Sequence, residues 1–280
     1  MLGHRLFETV APLHEARVTL RQGLDSYRRH GIFTEANAYA GIDVRRFESV
    51  MEVVSDFRPQ AVVNGVGIVK QRALARDAIP SLEVNALFPH RLAVLCRAVS
   101  ARLIHLSTDC VFSGRRGGYR EGDSTDAEDL YGRTKHLGEV GQTGSLTLRS
   151  SIIGLELDRK TSLVEWFLAQ ERPIRGYRRA IYSGLTTAEM SRLIERLLRE
   201  HPDLSGVWHV ASAPISKYDL LTILAGKLES RGPIEPDETL ACDRSLDGSA
   251  FAHATGYAAP GWDAMLAELA GEISRKRGSR

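Results

Sequence analysis

The chain is short of cysteine, of long apolar runs and of charge of one sign. Its three cysteines, Cys96, Cys110 and Cys242, show no metal-type spacing, and an odd number cannot all pair within one chain. That argues against a disulfide framework and a zinc module; all three read as reduced thiols of a cytoplasmic protein. No apolar run approaches the ~20 residues of a membrane span. The first residues lack the charged-then-apolar layout of a signal peptide. Basic and acidic residues number 37 and 35, a net charge of +2, and the basic ones are scattered. Neither nucleic acid nor a membrane is expected as a partner. The basic run Arg275-Lys276-Arg277 reads as a solvated end. No internal repeat, low-complexity linker or metal-ligand set stands out.

What is present is the make-up of a folded protein: 43% hydrophobic and 26% charged residues in a chain of 280. That length suits one large or two small domains. Short β-rich runs alternate with helical stretches, which predicts an α/β fold with a parallel sheet. Strands are expected at 16–20, 61–64, 101–106, 146–150 and 206–210. Helices are expected at 5–13, 44–57, 79–99, 130–140, 162–170, 187–200, 216–229 and 262–274. The regularity weakens beyond residue 150. A doubly wound domain over 1–150 is therefore expected to carry a smaller lobe over 151–280.

Two stretches carry chemistry. The apolar strand Leu103-Ile104-His105-Leu106 runs into Ser107-Thr108-Asp109. In open parallel sheets ligands bind at that carboxyl edge. Further on, Tyr131 and Lys135 stand four apart on an expected helix and share a face. A free phenol has a pKa of ~10, and a nearby ammonium lowers it, so the pair is a candidate acid–base device. Each stretch alone is weak evidence. Together, a hydroxyl residue at a strand end and a Tyr-x-x-x-Lys helix 23 residues later are specific.

The combination resembles the extended short-chain dehydrogenase/reductases, and more narrowly the dTDP-4-dehydrorhamnose reductase family. Val63-Asn64-Gly65, Val84-Asn85-Ala86-Leu87-Phe88-Pro89, Ser107-Thr108-Asp109, Tyr131-Gly132-Arg133-Thr134-Lys135 and Ile215-Ser216-Lys217-Tyr218-Asp219 carry the resemblance. It implies that Tyr131 protonates a reduced carbonyl oxygen and that Thr108 orients that oxygen. Lys135 would hold the nicotinamide ribose and lower the Tyr131 pKa. It further implies cofactor contacts at Gly3, Arg21, Asp43, Val44, Asn64 and Gly65. Asp43 could instead cap the helix that follows. Asn85 and Arg244 would face the substrate, with surface or structural roles as their alternatives. Arg21 would meet a 2′-phosphate, which favours NADPH over NADH.

The chain departs from this pattern at its first residue. The resemblance calls for a strand and a glycine-rich phosphate loop before Met1-Leu2-Gly3, and only Gly3 fits the loop. The expected explanation is that the native protein starts upstream. Ser151-Ile152-Ile153-Gly154 replaces a tryptophan segment of the family, and Tyr182 and Thr186 replace a glutamine and a proline. A different sugar or nucleotide is expected in consequence. The fold expected is a Rossmann-type doubly wound sheet lacking its first strand. The activity expected is NADPH-dependent reduction of a 4-keto-6-deoxy nucleotide-sugar for surface polysaccharide. Epimerisation or dehydration on the same scaffold, and a non-catalytic nucleotide-binding regulator, are the alternatives. A homodimer is left open.

Overall fold

The computed structural model describes residues 1–70, 76–158, 160–170, 173–229 and 233–278. Helix α1 (Leu2–Val10) leads into β1 (Val18–Leu20), which pairs in parallel with β2 (Ala38–Ala40). Then come α2 (Phe47–Phe57) and β3 (Ala61–Asn64). The long helix expected at 79–99 is composite: α3 (Ala78–Ser81), a π-helical stretch at Leu82–Leu87, and α4 (Phe88–Ala98). After it come β4 (Arg102–Leu106), α5 (Leu130–Leu137) and β5 (Ser145–Arg149).

The second half begins with β6 (Ile152–Ile153), α6 (Leu163–Leu168), β7 (Ile174–Tyr177), β8 (Ala180–Tyr182) and β9 (Leu185–Thr186). It continues through α7 (Thr187–Glu200), β10 (Gly206–His209), β11 (Ile215–Ser216) and α8 (Lys217–Lys227). It ends with β12 (Ile234–Asp237), β13 (Cys242–Asp243), α9 (Ser249–Thr255) and α10 (Trp262–Gly278).

The architecture is a mixed α/β fold of Rossmann type. Its main sheet has the order β10-β5-β4-β3, all parallel, and β1-β2 forms a separate sheet. The main sheet does not stop at residue 150, because β10 returns to pair with β5. Neighbouring residues of β4 face opposite layers, as strand geometry requires. Leu103 packs with Phe88, Leu92 and Cys96 from the α4 side. Ile104 joins Leu146 and Leu148 against Met190, Leu193 and Ile194 of α7. Each fully buried Leu or Ile contributes roughly 1.5–3 kcal/mol. No helix among the described residues is long and apolar enough to cross a membrane.

Several boundaries moved for local reasons. Helix α2 starts at Phe47 rather than 44, because Asp43 Oδ1 accepts the Arg45 backbone N–H at 3.1 Å and makes a turn first. Asp43 is therefore not the cap of that helix. Helix α5 stops at Leu137 rather than 140, and Gly138 follows it against the Asn85 backbone carbonyl. The short strands β2, β7, β8, β12 and β13 were not expected; pieces of two to four residues carry no readable periodicity.

Candidate active site

β4 delivers its carboxyl end to the site. Leu106 ends the strand, and Thr108 caps the 3₁₀ turn Asp109–Val111. Thr108 Oγ1 accepts the Cys110 N–H at 3.2 Å and donates to Asp109 Oδ1 at 3.1 Å. Both hydrogen bonds are local, and the one to Asp109 is buried, so they fix the turn.

Helix α5 is pressed onto this turn. Asp129 caps it, accepting the Gly132 N–H at 2.8 Å and an ion pair from Lys70 Nζ at 2.6 Å. A side chain at 132 would collide with Cys110 and Ala127, so only glycine permits the approach. Tyr131, next to Gly132, is thereby carried onto the Thr108 turn. Lys135, one turn on, is buried, and its Nζ donates to the Leu106 carbonyl at 2.6 Å.

The electrostatics differ from the expectation in one respect. Burial pushes the Tyr131 phenol well above its usual value, aided by Cys110 and opposed by the Thr108 hydrogen bond. Burial dominates this shift, while the Lys135 ammonium donates to the Leu106 carbonyl. Burial itself draws Lys135 down to about 8, with Glu139 opposing. The phenol is a neutral proton donor here, rather than the phenolate that the Tyr-x-x-x-Lys spacing suggested.

A buried polar network behind Lys135 escaped the sequence reading. Glu139 accepts from Arg149 at 2.8 and 2.7 Å and from the Ser107 hydroxyl at 2.7 Å. Arg149 also meets His209 Nε2 at 3.2 Å, and His209 Nδ1 meets the Tyr119 carbonyl at 2.9 Å. Burial would raise the Glu139 carboxyl, but Arg149, Ser107 and His136 outweigh it and hold it below its usual range. An arginine closing the otherwise apolar Leu146-Thr147-Leu148-Arg149 was the available signal. His105 is buried in β4, and burial with Lys135 nearby keeps it neutral.

Of the remaining expected residues, Gly3, Arg21, Val44, Asn64, Gly65 and Arg244 line one cleft, and Asp43 and Asn85 stand outside its lining. Asn64 is buried; its Oδ1 accepts the Val66 N–H at 3.1 Å and its Nδ2 meets His105 Nδ1 at 3.1 Å. Gly65 has open space where a side chain would stand. Asn85 is committed to the loop beside it, accepting from the Ile68 N–H at 2.8 Å and donating to the Ile68 carbonyl at 3.1 Å. Arg244 Nε donates to the Phe112 carbonyl at 2.8 Å, tying the second half to the Thr108 turn. Asp43 is bound by Arg45 at 2.6 Å, which together with Arg21 at 3.7 Å holds its carboxyl down at about 2. Val44 packs into the core beside Val50 and Ile68. Gly3 sits exposed in the first turn of α1, whose amino end has no side-chain cap.

A family model described as "RmlD substrate binding domain" matches residues 3–148. The chain belongs to this family. A dTDP-4-dehydrorhamnose reductase from Burkholderia thailandensis is 30% identical over 186 residues, 61% of this chain and 62% of that protein. One from Streptomyces griseus is 36% identical over 112 residues, covering 40% and 37%. The match thus spans less than two thirds of either relative. Among solved structures, a dTDP-4-dehydrorhamnose reductase from Bacillus anthracis in complex with NADP superposes with a TM-score of 0.74. It shares 20% identity and the alignment covers 92% of this chain and 99% of that one, which shows the fold.

As an RmlD-family chain, it offers a dinucleotide partial purchase. The cleft is a cavity of about 2060 Å³ that runs from Met1 and Arg21 past Asn64 to Cys110, Tyr182 and Arg244. Thr108, Tyr131 and Lys135 are not among its lining residues, but their neighbours Leu106, Asp109 and Cys110 are. The amino end of α1 lines it through Met1, Leu2 and Gly3, and a helix amino end suits an anionic group. Arg21 lines this cleft, is exposed and stands 3.7 Å from Asp43, so its guanidinium suits a 2′-phosphate.

Proposed function

We propose that this chain reduces a 4-keto-6-deoxy nucleotide-sugar with NADPH, in the cytosol, for surface polysaccharide. The observation that carries this is helix α5, with Tyr131, pressed through Gly132 onto the Thr108 turn at the carboxyl edge of β4, with Lys135 buried one turn behind. A carbonyl oxygen placed at this turn is polarised by the Tyr131 hydroxyl, and by Thr108 once its hydroxyl turns from Asp109 to that oxygen. Tyr131 keeps its proton at neutral pH because burial raises its pKa. It donates that proton when the oxygen gains negative charge. Lys135, titrating near 8, replaces the proton and holds a ribose hydroxyl. Reduced dinucleotide, when bound, supplies the hydride. The product is an alcohol: hydrogen is added to carbon and the Tyr131 proton to oxygen. Arg244 and Tyr182 line the far end of the cleft, where the sugar nucleotide would lie.

The test is incubation with NADPH and dTDP-4-dehydrorhamnose, following nucleotide oxidation and sugar product together. Consumption of one NADPH per sugar supports the proposal. Sugar conversion without net consumption means an epimerase or dehydratase instead. A folded Tyr131→Phe variant with full biological activity means a binding regulator.

A further inference from the structure

Lys135 and Glu139 grip consecutive residues at the end of β4. Lys135 Nζ donates to the Leu106 carbonyl at 2.6 Å, and the Ser107 hydroxyl donates to Glu139 Oε1 at 2.7 Å. Thr108 is the next residue. Helix α5 and the residues just after it are therefore pinned twice to the strand end that presents Thr108. Glu139 is itself held by Arg149, whose Nε and Nη2 reach its two oxygens at 2.8 and 2.7 Å. Arg149 in turn meets His209 Nε2 at 3.2 Å and lies 5.4 Å from the centre of the Phe112 ring. The Glu139 and Arg149 side chains are 5% and 6% exposed.

Stability alone does not account for such a pair. Desolvation costs a buried ion pair about as much as attraction returns, and apolar side chains of similar volume usually fold as well. What the pair supplies is a negative charge in the interior, just beyond a buried ammonium. The elements that meet around Lys135 bring several titratable groups. β4 brings His105, which burial keeps neutral, and β5 brings Arg149, committed to Glu139. The 3₁₀ turn brings Asp109, which accepts from Thr108, and the Cys110 thiol, which burial holds protonated. Helix α5 itself carries the neutral Tyr131 phenol, Asp129 paired with Lys70, and exposed His136 against Glu139 at 3.0 Å. The π-helical stretch and α4 bring Glu83 and His90, both exposed. Burial draws the Lys135 amine down to about 8, and Glu139 is the charge that opposes the fall.

We infer that Glu139 is a positioning residue of the reductase site: through Ser107 it fixes the strand end that carries Thr108, and its carboxylate, held by Arg149, keeps the Lys135 amine charged. Its place in catalysis rests on the reductase proposal, while its hold on the charge of Lys135 is read without it. Removing the carboxylate should turn Lys135 towards the neutral amine, which cannot resupply the Tyr131 proton.

Three variants test it. Glu139→Gln removes the charge and keeps an oxygen for the Ser107 hydroxyl. Glu139→Met combined with Arg149→Met replaces the pair by apolar side chains and leaves neither charge buried alone, so it serves where the single change does not fold. Glu139→Asp keeps the charge. Lysine isotope-labelled at Cε is followed by NMR from about pH 6 to about pH 10, the Lys135 signal being the one absent from Lys135→Met. In the wild type it should titrate at about 8, in both charge-removing variants about one unit lower, and in Glu139→Asp close to the wild type. The alkaline limb of kcat with NADPH and a keto-sugar should move by the same amount. An unchanged Lys135 titration in a folded charge-removing variant overturns the inference. So does a kcat lowered equally at every pH, the mark of a purely structural contact. A wild type without keto-sugar turnover overturns the reductase proposal instead, and the lysine titration then decides the hold of Glu139 on Lys135.

Discussion

A side-chain carbon on Gly132 would stand 2.1 Å from the Cys110 carbonyl oxygen, so helix α5 and the Thr108 turn meet backbone to backbone. Gly132→Ala must push them apart. The expected cost is about 1–3 kcal/mol of stability from overpacking and roughly 100-fold in kcat from misplacing Tyr131 against Thr108. Thermal unfolding and steady-state kinetics on the same sample check both. Loss of stability with kcat unchanged would show that the contact does not position the pair.

Lys135 is a buried amine whose charge opposes folding. Its pKa falls from 10.5 unfolded to about 8 folded, so the unfolded state binds more protons between those values. Stability should therefore rise as pH increases from 8 towards 10.5 through this group, by up to roughly 3 kcal/mol. Lys135→Met should abolish activity, flatten that rise and raise the thermal midpoint. Denaturant titrations at several pH values read the difference.

The Glu139–Arg149 pair behaves in the opposite sense. The Glu139 pKa is depressed below its usual 4.5, so its stabilisation is complete above that value and is lost as pH falls through the folded pKa. Arg149→Met leaves a buried carboxylate without its partner and should cost about 3–5 kcal/mol. The variant should also lose the acid side of the stability profile, which a simple packing defect would leave in place.

Arg21 should select between the two dinucleotides. Arg21→Gln is expected to raise KM for NADPH about tenfold, one lost charge-assisted contact, and to leave KM for NADH unchanged. Equal effects on both would place Arg21 outside the 2′-phosphate site.

Much of this was legible in the chain because it is local. Strand β3 and helix α7 fall on their expected residues. Tyr131 and Lys135 were found together because a helix brings positions four apart onto one face. Other parts are set by distant pairings. Arg149 and His209 are register partners on β5 and β10, sixty residues apart, so their network with Glu139 exists only once the sheet closes. Asn85 could be read either way until its amide was found bonded to both backbone groups of Ile68. The Lys135 amine was foreseen as a site group, but the lowering of its own pKa was not, since that comes from burial in the folded chain with Glu139 opposing. The alternation of strands and helices was legible in the sequence. Only the tertiary structure decided the order β10-β5-β4-β3, because strand order in a parallel sheet is set by crossovers between residues far apart in the chain.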